Sequence, residues 1–266
     1  MTDAGDAFFL PELDGDLSAT PWTRGPWDLG AQHGGPPSAL LARAIDRAVG
    51  EERDAWVPAR TIVELLRPVP IARLRASATL ETRGRQAIRA SAVLEHDGAA
   101  IARARAILVR ASDDDPTLAS SAPEADGTLP PPESWPVTDL SFFLHPVGYH
   151  RAMEIRMADP WPSPRARAWS RMRAPLVLGE TPTGWERALC IADAAHGIAP
   201  GLDPTRFTLV NPDLELTLVR RPAGEWIALD VDTRSTAIGT GLTRSRVFDE
   251  HGHAGAASAT LIVRRR

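Results

Sequence analysis

The sequence predicts an α+β protein made of one unit written twice, each copy a long helix followed by a meander of antiparallel strands. Three observations carry this. Residues 67–110, "RPVPIARLRASATLETRGRQAIRASAVLEHDGAAIARARAILVR", align without a gap with residues 221–264, "RPAGEWIALDVDTRSTAIGTGLTRSRVFDEHGHAGAASATLIVR", at a constant offset of 154. Inside both stretches the apolar residues alternate with period two. Ahead of each lies a segment whose apolar residues recur at helical spacing.

The first helix is read from "GGPPSALLARAIDRAV". Leu40, Leu41, Ala44, Ile45, Ala48 and Val49 fall at helical spacing, with Arg43, Asp46 and Arg47 between them. Its strands follow. Leu74, Ala76, Ala78 and Leu80 share one parity, while Arg73, Arg75, Ser77, Thr79 and Glu81 take the other. After a turn at residues 83–84, Ile88, Ala90, Ala92 and Leu94 repeat the pattern. Residues 111–134 are rich in Pro, Asp, Ser and Ala without periodicity and read as a linker. That gives an N-terminal unit over 1–110 and a C-terminal unit over 135–266. The second helix, "GWERALCIADAAHGIAPG", should start after Thr183 and end near Gly197, with a proline beyond. In its strands Ile227, Leu229 and Val231 oppose Ala228, Asp230 and Asp232. A sheet with one apolar face needs a layer laid on it, and the helix supplies one.

Composition narrows the functional classes. A chain of 266 residues, 43% of them hydrophobic, can bury a sizeable core. No apolar run reaches the ~18 residues of a membrane-spanning helix. The acidic start "MTDAGDAFFLPELDGD" lacks the blocks of a secretion signal, so a cytoplasmic protein is expected. The single cysteine, Cys190, excludes an internal disulfide and a cysteine metal cage. A net charge of −4 gives no reason to expect nucleic acid. All 30 basic residues are arginine, so there is neither a P-loop lysine nor a lysine for Schiff-base chemistry.

Two places carry candidate chemistry. Asp193 lies in "ALCIADAAHGIA", where nearly every neighbour is apolar. Burial of a lone carboxylate there would raise its pKa and suit it to general-base activation of water; the plainer alternative is an outward-facing or arginine-paired acid. "GAQHGGPPSALLARAID" is the other place. Gly34 and Gly35 let backbone approach a ligand, and prolines in a first helical turn cost no hydrogen bond. Free N–H groups and the helix dipole would favour a developing oxyanion there, although a tight turn into a helix needs the same residues. The stretch matches neither GxGxxG nor Walker A. His33 could donate to a bound carbonyl, line a pocket or simply pack. His196, three residues after Asp193, could hydrogen-bond to it. His251 with His253, and His145 with His150, lack metal-site spacing with a third ligand. No Gly-x-Ser-x-Gly elbow exists, and Cys190 reads as core. The eight tryptophans are scattered, with room for one or two to line a ligand tunnel. If Gly35 and Gly184 both open helices, Ala44 occupies the place of Asp193 in the first half, which suggests one composite site per chain.

The order of these segments resembles the thioesterase-like superfamily, in its acyl-CoA thioesterase II (TesB-like) group. "HGGPPSALLARAI" (33–45), "RALCIADAAHGIA" (187–199), "NPDLELTLVRRPAGEWIALD" (211–230) and "GLTRSRVFDEHGHAGAASATLIVRR" (241–265) carry the resemblance. It implies a double hotdog fold, an acyl-CoA substrate, no cofactor or metal, no nucleic-acid or membrane partner, and a homo-oligomer. In that group an aspartate, a threonine and a glutamine hold the attacking water. The aspartate maps onto Asp193. The threonine position falls on Leu209, beside Thr208, and the glutamine position falls on Ala259. Thr208 and Asn211 are the remaining polar candidates near the water. Hydrolysis of acyl-CoA is therefore expected, with a weakly active or inactive acyl-CoA or acyl-carrier-protein binding module as the alternative. A hydratase or dehydratase of the same fold would want an aspartate and a histidine placed together, which Asp193 with His196 does not reproduce.

Overall fold

The computed structural model describes residues 7–112, 115, 127–140 and 142–266. Among them 13 strands form one sheet, in which β1 (Phe9–Pro11) and β7 (Met153–Met157) are the outer strands. The first-half strands β4 (Arg73–Arg83), β5 (Ala87–His96) and β6 (Ala99–Arg110) correspond, at the offset of the sequence repeat, to β11 (Ile227–Ser235), β12 (Thr240–Asp249) and β13 (Gly252–Arg265). The inward parity is buried as expected. Ile88, Ala90, Ala92 and Leu94 are buried along β5, and Ile227, Leu229 and Val231 along β11. The β5–β6 hairpin turns at Asp97 (φ 49°) and Gly98 (φ 73°), the two positive values that a tight primed turn requires.

A fourth strand completes each half: β3 (Trp56–Leu65) pairs with β6, and β10 (Asp213–Leu218) with β13. β3 and β10 also pair with each other antiparallel, from Asp213↔Glu64 to Thr217↔Arg60, so the two halves share one continuous sheet. The short β9 (Phe207–Val210) adds to the end of β13, and β8 (Arg165–Met172) links β11 to β7.

Helix α1 (Gly35–Val49) lies on the sheet and against α3 (Gly184–Ala192). Its first turn holds Pro36 and Pro37, whose missing N–H groups cost no helical bond. The sequence reads Arg43 and Asp46 as its polar side, yet both are buried. The C-terminal half covers them and supplies their counter-charges: Arg43 binds Glu180 at 2.6 Å and Asp46 binds Arg221 at 2.9 Å. Helix α3 begins with a capping box between Thr183 and Glu186. It stops at Ala192, earlier than expected, because Ala194 N–H bonds back only three residues, to Ile191. A separate turn, α4 (Ala195–Ile198), follows, and Asp193 caps the break.

Ala228, on the outward parity, is buried as well, because Trp135, Trp169, Trp226 and Phe248 form a second cluster on the outer face. Of the expected linker over 111–134, residues 113, 114 and 116–126 lie outside the described residues, as do 1–6 at the N-terminus.

Candidate active site

The α1 N-terminus meets the end of α3 across the two halves. Gly35 packs on the Cys190 backbone so closely that a Cβ there would overlap the Cys190 carbonyl oxygen. A Cβ on Gly34 would stand 2.8 Å from Asp193 Oδ1 and 2.8 Å from Leu65 Cδ1. The glycine pair is thus required by close approach, and what it approaches is the buried Asp193.

Both oxygens of Asp193 are held. Asn211 Nδ2 donates to Oδ1 at 2.7 Å, and the same Nδ2 lies 3.1 Å from the Asp213 carbonyl. His33 Nδ1 lies 2.9 Å from Oδ2. Gly35 N–H also points at His33 Nδ1, at 3.1 Å. One ring nitrogen cannot accept there and donate to Asp193 together. The proton belongs on Nδ1, because a lone pair facing the carboxylate at that distance would be repulsive. Nε2 is then the ring atom left for the cavity that His33 lines. The ring is fixed by Tyr149, stacked on it at 3.8 Å between centroids and 3° between planes, whose hydroxyl donates to the Cys190 carbonyl at 2.9 Å.

Electrostatics correct one expectation. Burial alone would push the Asp193 carboxyl up, as the sequence suggests. The charge and hydrogen bond of His33, the charge of His196 and the Asn211 bond outweigh it, and the carboxyl is held below the ordinary aspartate range. His196 goes the other way: burial lowers its pKa to about 4, so it is neutral near pH 7. It makes no hydrogen bond to Asp193, and its Nδ1 is buried without a partner among the described residues. Burial also drives the Cys190 thiol well up, leaving it a core residue.

A cavity of about 380 Å³ opens from this group, lined by His33, Gly34, Asp193, His196, Asn211, Gln32, Trp27 and segments 65–69 and 210–212. His33 and His196 also line a small recess behind it, walled by Leu140, Phe142 and Phe143. Gly34 N–H donates to none of the described residues, Pro36 and Pro37 have no N–H, and with the proton on His33 Nδ1 the Gly35 N–H is left without an acceptor there as well; of the two glycines Gly34 lines the cavity, so it is the donor placed there. A larger groove, about 610 Å³, lies on the outer face of the C-terminal strands, lined by ion-paired groups such as Arg165 and Asp232. It contains neither histidine nor a buried acid and carries no comparable chemistry.

The structure thus gathers His33, Gly34, Gly35, Asp193 and Asn211, and leaves Thr208 out. Thr208 sits in β9 opposite Arg264, its hydroxyl 3.5 Å from the Arg264 carbonyl, and does not line the cavity. Asn211 reaches Asp193 because β9 ends at Val210, so the pleat that would turn the two to opposite faces no longer applies. Ala259 is buried in β13 opposite Thr243. Sequence reasoning did not single out Tyr149 or Gln32. Tyr149 is the chain's only tyrosine, which was the one available signal. An aspartate and a histidine do meet, but the histidine is His33 from the other half, not His196. Among the described residues no group of three His, Cys, Asp or Glu side chains is placed to hold a metal ion.

At the pseudo-equivalent start of α3 the partners differ. A Cβ on Gly184 would overlap the Pro222 carbonyl oxygen, and Arg221, the repeat partner of Arg67, is drawn onto Asp46. Arg67 and Pro68 instead line the open cavity.

The chain matches the model of the acyl-CoA thioesterase N-terminal domain over residues 23–109 and that of the acyl-CoA thioesterase C-terminal domain over residues 116–262. No curated protein matches it in sequence. Among solved structures it is similar to a hot dog fold protein of unknown function from Alicyclobacillus acidocaldarius, with a TM-score of 0.71 at 14% identity over 100% of this chain and 98% of that one. It is also similar to the acyl-CoA thioesterase II TesB2 from Mycobacterium marinum, with a TM-score of 0.66 at 17% identity over 89% and 91%. The tesB protein from Mycobacterium avium subs paratuberculosis gives 0.65 at 15% over 94% and 92%. At such identities these likenesses show the fold, a double hotdog. With both halves matched by the paired domain models, the chain belongs to the acyl-CoA thioesterase family.

Proposed function

We propose that this chain hydrolyses the thioester of an acyl-CoA to a free carboxylic acid and CoA, with Asp193 and His33 together activating the attacking water. The observation that carries the reading is the hydrogen-bonded His33–Asp193 pair beside an unpartnered backbone N–H at the start of α1. A carboxylate held below its ordinary range is a weak base by itself, but it orients an imidazole and stabilises its cation. Water bound at His33 Nε2 gives up a proton to that nitrogen as its oxygen attacks the thioester carbon. The carbonyl oxygen becomes an oxyanion facing Gly34 N–H and the positive end of the α1 dipole. Collapse of the tetrahedral intermediate breaks the carbon–sulfur bond, and the departing thiolate takes the proton from the imidazolium. Asn211 supports the carboxylate through its bond to Oδ1, while the threonine and glutamine positions of the family carry Leu209 and Ala259.

The same His–Asp contact favours a second reading, addition of water to a 2-enoyl thioester. Steady thiol release from acyl-CoA, followed with Ellman's reagent, supports hydrolysis. Loss of enoyl absorbance without thiol release would favour hydration, and neither signal, with ligand still bound, would favour the binding module.

A further inference from the structure

Two spaces meet at the His33–Asp193 pair, and they differ in kind. His33, His196, Pro26 and Trp27 line both the open cavity and the recess behind it. Asp193 and Gly34 line only the cavity, so the recess borders the part of the His33 ring turned away from the carboxylate. The cavity measures about 380 Å³ and the recess about 20 Å³. The smaller figure is room for one or two groups the size of a water or a methyl, at ~10–15 Å³ each. Leu140, Phe142, Phe143 and Ile155 make its apolar walls. His150 and His196 line it too, and burial lowers the pKa of both to about 4, so neither presents a charge near pH 7. The wall is braced from behind. Phe142 stacks on Trp27 at 5.6 Å and on Trp161 at 5.7 Å between centroids, and packs on Phe143 at 5.1 Å. Trp161 is held in turn, its Nε1–H donating to the Gly197 carbonyl at 2.9 Å, and Phe143 rests on His150 at 4.2 Å. A ring clamped on several sides has no free rotamer to swing into.

We propose that Phe142 and Phe143 measure the acyl group by closing the recess on its end, restricting this chain to short acyl thioesters of about two to four carbons. The inference rests on the acyl-thioester reading of the site. A thioester whose carbon lies at His33 Nε2 sends its two substituents in different directions. The sulfur side carries a long polar chain, which only the open cavity passes to solvent. The acyl side is left with the recess, which begins at the same ring. One or two carbons beyond the α-carbon fill it. A further methylene has to displace a stacked ring, and overpacking a braced wall is unfavourable. Each methylene that does find room gains about fourfold in binding. The competing arrangement lays a longer chain in the open cavity along Leu66, Val210 and Ile262. Those three are 44%, 41% and 42% exposed, so a chain resting there stays partly in water and gains less than one enclosed by the recess.

The test measures thiol release from acetyl-, butyryl-, hexanoyl- and octanoyl-CoA by the wild type, Phe142→Leu and Phe143→Ala. Wild-type kcat/KM should be highest on acetyl- or butyryl-CoA and about tenfold or more lower on octanoyl-CoA. In the variants the hexanoyl-to-butyryl ratio should rise about tenfold, the scale of two methylenes newly accommodated. Activity on acetyl-CoA, whose methyl reaches neither ring, should persist and reports that each variant is folded. Phe143→Ala, at a half-buried position, keeps the test open if Phe142→Leu does not fold. A wild type that cleaves octanoyl-CoA as well as butyryl-CoA would overturn the proposal, and so would folded variants that keep the wild-type ratio. If no acyl-CoA releases thiol, the hydrolase reading falls, and calorimetric titration of the same series decides the recess by itself. Affinity highest for butyryl-CoA then supports it, and affinity rising to octanoyl-CoA overturns it.

Discussion

Replacing Asp193 by asparagine should cut turnover sharply while sparing the fold, and the hydrogen bonds say why. Asp193 accepts twice, from Asn211 Nδ2 at 2.7 Å and from His33 Nδ1 at 2.9 Å. An asparagine can accept at one side only and must present its NH2 at the other. Asn211 cannot easily turn to meet it, because its Nδ2 also holds the Asp213 carbonyl at 3.1 Å. The NH2 therefore faces His33 and forces the imidazole into the other tautomer, with the proton on Nε2. The atom that should take a proton from water then already carries one. The expected loss in kcat is about 10²–10⁴, the scale of removing a general base, or at least about 3 kcal/mol of barrier. The fold should persist, because the substitution is isosteric and keeps hydrogen-bond partners for Asn211 and His33, although some stability is lost because the fold favours the ionised carboxyl. The measurement is thiol release from a purified variant whose circular dichroism matches the wild type and which unfolds cooperatively. Because the Asp193 carboxyl is held below its ordinary range, it is ionised throughout neutral pH, so the substitution and not the assay pH is the decisive lever. A folded variant within about tenfold of wild-type kcat would refute the assignment of proton transfer to this pair.

Three further outcomes are expected. Asn211→Ala, which strips a donor from a buried carboxylate, should lower kcat about tenfold or more, whereas Thr208→Ala should stay within about twofold, since its hydroxyl only approaches Arg264 O; kinetics on one acyl-CoA compare them, and a larger loss for Thr208→Ala would reverse their roles. Gly184→Ala should lower the melting temperature, because its Cβ would overlap the Pro222 carbonyl; overpacking of about 1–3 kcal/mol corresponds to about 2–12 °C for a chain of this size. Glu186, raised by burial from 4.5 to about 7, keeps its proton more tightly folded than unfolded, so the stability it adds is complete below about pH 4.5 and lost as pH rises through 7. That difference is worth about 3 kcal/mol, and denaturant titrations of Glu186→Gln from pH 4.5 to 7 should show a flatter pH dependence than the wild type.

How much was legible in the sequence follows from what is local. Period-two burial in β5 and β11, the positive-φ turn at Asp97 and Gly98 and the capping box at Thr183 depend on residues a few positions apart, so their patterns stand in the text of the chain. The 44-residue repeat even placed the hairpins of the second half by those of the first. Asp193 also stood out alone, since an acid amid so many apolar neighbours is a local anomaly. Contacts between the halves are a different matter. That β3 should pair with β10 depends on two sheet edges meeting, and no spacing within either half encodes that register. Arg43 and Asp46 read as a solvated face because a single helix cannot announce what will later cover it. The same holds for the site. His33 lies 160 positions from Asp193 in sequence and 2.9 Å from it in space, and Tyr149 fixes the ring from a third segment. The direction of the Asp193 pKa turned on those neighbours, because burial and pairing oppose each other and only the assembled geometry determines which is larger. The sequence by itself determined the two units, their strands and helix starts, and the acid at the centre. Only the tertiary structure decided its partners, since a hydrogen-bond partner is set by angstroms across the interface and not by distance along the chain.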